Sequence, residues 1–277
     1  MPVMAHRFLR KMRGGAQGHL IEADDGAFYV VKFRNNPQHR RILVNESIAA
    51  SILKHLQIAA PDCQFVSFSP AFLAANPEIN ISLGSRKAAV EPGWHFGSKH
   101  PGNPDTMAIY DFIPDSLLAQ VANSEQFRAV LVFDRWVANT DGRQSVFFRA
   151  KLKDWLVLPG VSRKIGFVVS MIDHGFAFNG PQWDLPESAI SGLYPRRMVY
   201  ESVKSIDDFD PWLSRVRNFP DEVIGRAIRQ LPPEWIEDDF HALEKLMDSL
   251  MRRKKRVPDL IRQCHTAPDN PFTRWNA

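Results

Sequence analysis

The chain is poor in cysteine: Cys63 and Cys264 are the only two in 277 residues, far apart and without metal-ligand spacing. That excludes a disulfide framework and a zinc site built on paired cysteines. No apolar run approaches the ~20 residues that cross a bilayer, and the opening MPVMAHRFLRKMRGG lacks the apolar core of a secretory signal. There is no internal repeat and no low-complexity segment. The expectation is a cytoplasmic protein with no membrane span.

What is present is an ordinary globular mixture, 44% hydrophobic and 24% charged, long enough for one large domain or two lobes sharing a core. The net charge is +4, and the run Arg252-Arg253-Lys254-Lys255-Arg256 accounts for it, leaving the rest nearly neutral. That run reads as the solvated end of a C-terminal helix; the alternative is contact with nucleic acid or an acidic partner. A nucleic-acid reading has no aromatic platform or recognised motif behind it.

Residues 8–12, 19–23 and 28–33 read as three strands, the last two joined by the hairpin turn Asp24-Asp25-Gly26. The preceding turn, Arg13-Gly14-Gly15-Ala16-Gln17-Gly18, can bring bare backbone N–H groups against phosphate oxygens, because glycine has no Cβ in the way. The third strand carries Lys32 after Tyr29-Val30-Val31. A helix over 44–56 follows, with Glu46, Ala49, Ala50 and Leu53 on one face. Glu46 in its first turn either points inward to meet Lys32 or simply complements the helix dipole. Residues 64–69 read as a strand and 70–76 as a short helix. Residues 84–106, rich in Gly and Pro, read as a loop over a cleft, with His95 a loop hydrogen-bonder. Residues 106–114 suit a strand crossing between lobes, whose backbone would meet an adenine edge with Met107 or Ile109 against the ring.

Beyond 114 the texture becomes helical: 116–122, 125–137, 206–218, 221–231 and 234–256, with paired strands at 146–148 and 155–158 and a third at 166–172. Residues 181–195 are loop-like, and 257–277 read as a tail. Two apolar runs end on an aspartate, 32 positions apart: Asp141 in Asn139-Thr140-Asp141-Gly142 after a helix, and Asp173 in Ile172-Asp173-His174-Gly175 after a strand. A loop Asp followed by a strand Asp-x-Gly is how kinase-type phosphotransferases hold a substrate hydroxyl and a metal-bound nucleotide.

In chain order these are a glycine turn, a strand Lys, a helix Glu, an interlobe strand, a loop Asp and an Asp-x-Gly. Over about residues 8–250 the ordered set resembles the HipA-type kinases, specifically the shorter HipA-like kinase domain family. The matching strings are Gly15-Ala16-Gln17, Val30-Val31-Lys32-Phe33, Val44-Asn45-Glu46, Tyr110-Asp111-Phe112-Ile113-Pro114, Asp134-x-Trp136-x-x-Asn139-Thr140-Asp141 and Ile172-Asp173-His174-Gly175. Type II phosphatidylinositol 4-kinases have a similar Asn-x-Asp loop. The resemblance implies that Asp141 accepts or orients the substrate hydroxyl and that Asp173 ligates Mg²⁺ on the nucleotide. It implies that Lys32 holds the α/β-phosphates, that Glu46 holds Lys32, and that Gly14, Gly15, Ala16 and Gln17 close over the phosphates. One position departs: the family pattern often has a second metal-binding Asn five residues after the catalytic Asp, where this chain has Val146. Gln144 or Asn139 would have to substitute. Asp134 is expected to hydrogen-bond the backbone of the catalytic loop, and His174 to serve packing or hydrogen bonding at the metal site.

The expected fold is therefore α+β and two-lobed, protein-kinase-like. A β-rich N-lobe (1–109) would carry the phosphate loop, a mainly helical C-lobe (110–256) the catalytic and metal loops, and a tail (257–277) would follow. The expected function is an ATP- and Mg²⁺-dependent serine/threonine kinase with an unidentified protein substrate. The alternatives are a lipid or small-molecule kinase, or a nucleotide-binding pseudokinase acting as an interaction module.

Overall fold

Five short strands close into a barrel at the N-terminal end of the chain in the computed structural model, which describes residues 2–155, 164–188 and 191–275. β1 (Val3–Lys11), β2 (His19–Ala23) and β3 (Phe28–Lys32) run antiparallel in succession. Helix α1 (Arg41–Leu56) leads to β4 (Cys63–Phe68), the short α2 (Pro70–Ala75), the hairpin β5 (Asn80–Leu83) and β6 (Arg86–Ala89), and β7 (Gly93–Lys99). Around the barrel the order is β1, β2, β3, β7, β4, and β4 closes it by pairing parallel to β1. Ile21, Ala23, Tyr29, Val31, Phe33, Val66 and Phe68 form its core, alternate residues as the two-residue strand period requires. The Asp24-Asp25-Gly26 turn forms as its sequence implies: Gly26 takes φ +75°, and Asp25 accepts from Ala27 N (2.9 Å) and the Tyr29 hydroxyl (2.7 Å).

Residues 84–106 are not one loop. They contain β6 and β7, and β7 is the strand that joins β3 to β4. Glycine here serves close packing: a Cβ on Gly97 would lie 2.6 Å from Val66 Cγ2. His95 is fully buried, edge-on to Phe33 and Phe68 at 5.2 and 4.9 Å. Its Nδ1 accepts from Arg34 N (3.1 Å) and its Nε2 donates to Glu91 O (3.0 Å). Only the neutral ring satisfies both.

The expected strand over 106–114 is corrected to irregular chain. Tyr110 alone pairs, exchanging both backbone bonds with Phe147 (2.9 and 2.8 Å), and the flanking side chains of Tyr110 and Phe112 stay exposed. Phe147 meets β9 on its other edge, so Tyr110 touches the outer edge of that strand at one point only. Beyond it come α3 (Asp115–Leu118), α4 (Gln126–Val137), β8 (Gln144–Lys151) and β9 (Ile165–Ile172). β8 pairs with β9 directly, from Gln144 opposite Ile172 to Lys151 opposite Ile165. Of the strand expected over 155–158, Trp155 ends a single 3₁₀ turn and residues 156–158 lie outside the described residues. α4 buries Phe127, Val130, Leu131, Phe133 and Trp136, at about 1.5–3 kcal/mol for each large side chain.

The remaining helices are α5 (Trp212–Arg217), α6 (Asp221–Gln230), α7 (Pro233–Ile236), α8 (Phe240–Arg253) and α9 (Val257–Thr266). Residues 257–275 are thus not a tail. α9 buries Val257, Leu260, Ile261 and Cys264, and Phe272 packs against Tyr200 and Phe209. Pro258 stands in the first turn of α9, where proline is at home. The basic run is only partly solvated: Arg253 is buried and donates to the carbonyls of Arg135, Leu185 and Pro186, and Lys254 donates to Phe219 O. Among the described residues no helix is long and apolar enough to cross a membrane.

Burial drives the His95 pKa down from 6.5 to about 3. The unfolded chain takes up this proton near 6.5, while the folded chain refuses it until about 3. Stability is therefore complete above the upper value and falls as the pH drops between them. Urea unfolding should show a loss from this residue of up to about 1.4 kcal/mol per pH unit in that window. His95→Gln keeps a donor and an acceptor but cannot titrate, so its pH slope should flatten by one proton; an unchanged slope would refute the assignment.

Candidate active site

Lys32 ends β3 and is held between two carboxylates, Glu46 Oε1 at 2.5 Å and Asp173 Oδ1 at 2.7 Å. Three elements distant in sequence meet here: the barrel, α1 and the end of β9. α1 begins at Arg41 rather than 44, so Glu46 stands in the second turn and the dipole explanation for it does not hold. Lys32 and Glu46 are buried, while the Asp173 side chain is 30% exposed. Burial disfavours the Lys32 charge, yet the two carboxylates outweigh it and raise its pKa. Burial raises Glu46, with the ammonium opposing. Burial acts likewise on Asp173, but Lys32, with Arg143 behind it, holds it below the usual carboxylate range. Asp173 also has φ +58°, a left-handed conformation that costs a residue with a Cβ about 1–2 kcal/mol. Such strain gathers at functional sites.

The second aspartate loop sits at the same end of the β8–β9 ribbon, because Gln144 pairs with Ile172. Helix α4 ends in a left-handed Ala138 (φ +50°), which turns the chain into this loop. Asp141 accepts from Gly142 N (2.8 Å) and Gln144 Nε2 (3.2 Å), and its backbone N–H reaches Asn139 Oδ1 (3.3 Å). Beneath lies a fully buried ion pair that sequence reasoning missed. Arg143 grips both oxygens of Asp134, Nε to Oδ2 at 2.8 Å and Nη2 to Oδ1 at 2.6 Å. Its Nη1 also donates to Ile172 O (2.8 Å) and meets His174 Nδ1 (3.2 Å). Arg143 therefore joins the Asp141 loop to the Asp173 loop. The available signal was Asp134 itself: a carboxylate on the apolar face of α4 needs a buried cation. Asp134 binds the side chains of this loop, Asn139 and Arg143, rather than its backbone. His174 is buried and neutral, its pKa lowered by burial and by Arg143; its Nε2 donates to Met171 O (3.2 Å).

The glycine turn lies between β1 and β2. Gly14 takes φ +119°, and Gln17 N donates to Gly14 O (3.1 Å). The backbone N–H groups of Gly15 and Ala16 have no protein acceptor among the described residues. The Gln17 side chain is committed elsewhere, pairing with the backbone of Ser82 through Nε2 (2.7 Å) and Oε1 (2.6 Å). Met107 and Ile109 are half-buried in the irregular segment, and Met107 packs on Gly102. No described contact brings either to Lys32.

Among the described residues no group of three or more His, Cys, Asp or Glu side chains is placed to hold a metal. Mg²⁺ needs less, since one or two carboxylates suffice when nucleotide phosphates supply the rest. Asp173 fits. Its second oxygen takes no hydrogen bond from a described residue, and the Lys32–Glu46–Asp173 trio carries one positive and two negative charges. Gln144 is exposed beside Asp141 and has an amide oxygen to offer. Asn139 is buried, with Nδ2 on Asp134 (3.0 Å) and Oδ1 accepting from Asp141 N (3.3 Å). A cavity of about 660 Å³ lies elsewhere, beside α1 between Ser47, Ser51, Cys63, Phe65 and Trp94, and includes none of these residues.

Arg143→Met leaves the Asp134 carboxylate buried and unpaired. It should cost about 3–5 kcal/mol in urea unfolding, and Asp134→Leu added to it should recover much of that. A loss under about 1 kcal/mol for Arg143→Met would contradict the ion pair.

No curated protein sequence matches the chain. Solved structures resemble it in shape. A crystal structure of a Golgi casein kinase with Mn/ADP bound gives a TM-score of 0.48 at 11% identity, over 97% of this chain and 74% of that one. Another Golgi casein kinase crystal structure gives 0.49 at 12% identity, over 96% and 72%. The profile of the HipA-like kinases matches residues 6–259, from β1 into α9 and through Lys32, Glu46, Asp141 and Asp173. The chain belongs to the HipA-like kinase family.

Proposed function

We propose that this kinase uses ATP and Mg²⁺ to phosphorylate a serine or threonine hydroxyl of a protein in the cytoplasm. The observation that carries the reading is the Lys32 ammonium fixed between Glu46 and Asp173 at 2.5 and 2.7 Å. An ammonium has three N–H groups; two are used, and the third is left for a phosphate oxygen. The N–H groups of Gly15 and Ala16 are donors for the same anion. In this reading the barrel and its additions, to about residue 109, cover the nucleotide, with Met107 and Ile109 toward the base. The helical part carries the reacting loops.

Asp173, with Gln144 nearby, would hold Mg²⁺, which when bound neutralises phosphate charge and orients the transferring group. Asp141 is aimed by Gly142 N–H and the Gln144 amide and is partly open to solvent. It takes the proton of the incoming hydroxyl, a role worth typically 10²–10⁴ in rate. The products are ADP and the phosphoester. A pseudokinase is the second reading, favoured by Val146 and by the engagement of Asn139 in the loop: only Gln144 remains to support a further metal.

Incubation with Mg²⁺ and γ-labelled ATP, alone and with lysate, tests both. Label should appear on a protein, fall at least ~10²-fold in Asp141→Asn, and vanish in Asp173→Asn. Asp141→Asn should retain ATP binding in a thermal-shift assay. Label confined to a lipid or small-molecule fraction would replace the protein substrate. Binding without label would establish the pseudokinase, and absence of ATP binding by wild type would overturn the nucleotide site.

A further inference from the structure

Asn45 is fully buried on α1, one residue before Glu46, and its amide faces three carbonyls and one indole N–H of a single stretch of chain, its two N–H groups shared among the carbonyls. Its Nδ2 points at the carbonyls of Gly175 (2.8 Å), Ala177 (3.0 Å) and Gly180 (3.0 Å). Its Oδ1 accepts from Trp183 Nε1 (2.7 Å). The stretch these bonds gather, 173–183, is irregular: Asp173, Phe178, Asn179, Gly180 and Trp183 all have φ between +55° and +60°. A backbone folded this way cannot satisfy its own carbonyls as a helix would, so an outside donor must.

The neighbours of Asn45 on α1 do related work. Arg41, one turn earlier, donates to Pro181 O (2.7 Å) and lies over the Trp183 ring at 4.3 Å. Ile42 presses on Gly175 so closely that a Cβ there would lie 2.5 Å from its Cγ2. Glu46 reaches Asp173 through Lys32. Positions 41, 42, 45 and 46 form one helical face, and that whole face rests on the segment that presents Asp173. An asparagine in such a place costs stability unless it is satisfied, and here both ends of its amide are.

We infer that Asn45 is a positioning residue that fastens the Asp173 segment to α1, so that Glu46 and Asp173 reach Lys32 as one unit. Helix α1 cannot swing away from the barrel while Asp173 stays in place, nor the reverse. The catalytic consequence rests on the kinase reading above; the mechanical one does not.

Hydrogen–deuterium exchange on the full chain, without nucleotide, separates the two. In Asn45→Leu, which keeps the volume and removes the amide, amides of 41–56 and of 173–183 should both exchange faster, by a similar factor, while β1–β3 keep wild-type rates. Trp183→Phe removes the one bond to Oδ1 and should give a smaller effect in the same two segments; it also serves if Asn45→Leu fails to fold. Faster exchange in only one segment, or uniformly over the chain, would overturn the inference. With active wild type, Asn45→Leu should lower kcat by about 10–100-fold with less than a threefold change in KM for ATP. An equal change in both would reduce Asn45 to a stabilising role. Inactive wild type with coupled exchange would remove the kinase reading and leave the fastening intact.

Discussion

One lysine facing two carboxylates sets the terms for the rest of the molecule. Taken alone, the ammonium of Lys32 is a poor occupant of a buried position. With Glu46 it is neutralised, and with Asp173 the trio carries one negative charge in excess, on the side that opens to solvent. Every one of the three must be supported by its own element: β3 from the barrel, α1 across its flank, and β9 from the other half of the chain. The barrel closes through β7 so that β3 is held on both edges. α1 is buried round most of its circumference. β9 is pinned by β8, and their antiparallel pairing, Gln144 opposite Ile172, brings both aspartate loops to one end.

The electrostatic arrangement has two tiers. Near the surface lies a charge set that is incomplete without a cation. Beneath it, Asp134 and Arg143 form a complete pair with both side chains fully buried. A buried pair of this kind contributes little net stability over a well-packed apolar substitute. What Arg143 adds is direction: the same guanidinium that answers Asp134 also holds the carbonyl of Ile172 and the ring of His174. An apolar replacement would fill the space and lose these two contacts between the loops.

Much of this was legible in the sequence, and the reasons differ by element. Lys32 stood out because it follows an apolar run, and Glu46 because the rest of its helix face is small and apolar. Asp141 and Asp173 stood out because each ends an apolar run. The Asp-Gly turn between β2 and β3 is local chemistry and reads directly. β7 did not, because its glycines and His95 suggest a loop until the close contact with Val66 and the neutral, doubly bonded ring are seen. α9 was hidden behind a basic run, which reads as a helix end. Asn139 looked like a ligand by residue type alone, and only its two partners show that its amide is engaged. Gln17 was likewise drawn away by Ser82, a contact across 65 positions. Arg143 and Asn45 act over long separations, on elements whose meeting no local pattern announces.

The barrel has a further consequence for how other proteins can be met. Among the described residues β2, β3 and β7 are paired on both edges, whereas β1 meets β4 only at Val3 and Met4, and its run from Ala5 to Lys11 is paired on the β2 side alone. Extended peptides commonly dock by lengthening an open sheet edge, and strands paired on both sides refuse that kind of addition. Among the described residues, open strand edges remain also on the two-stranded ribbons β5–β6 and β8–β9, one tied to the glycine turn through Gln17 and the other ending at the aspartate loops.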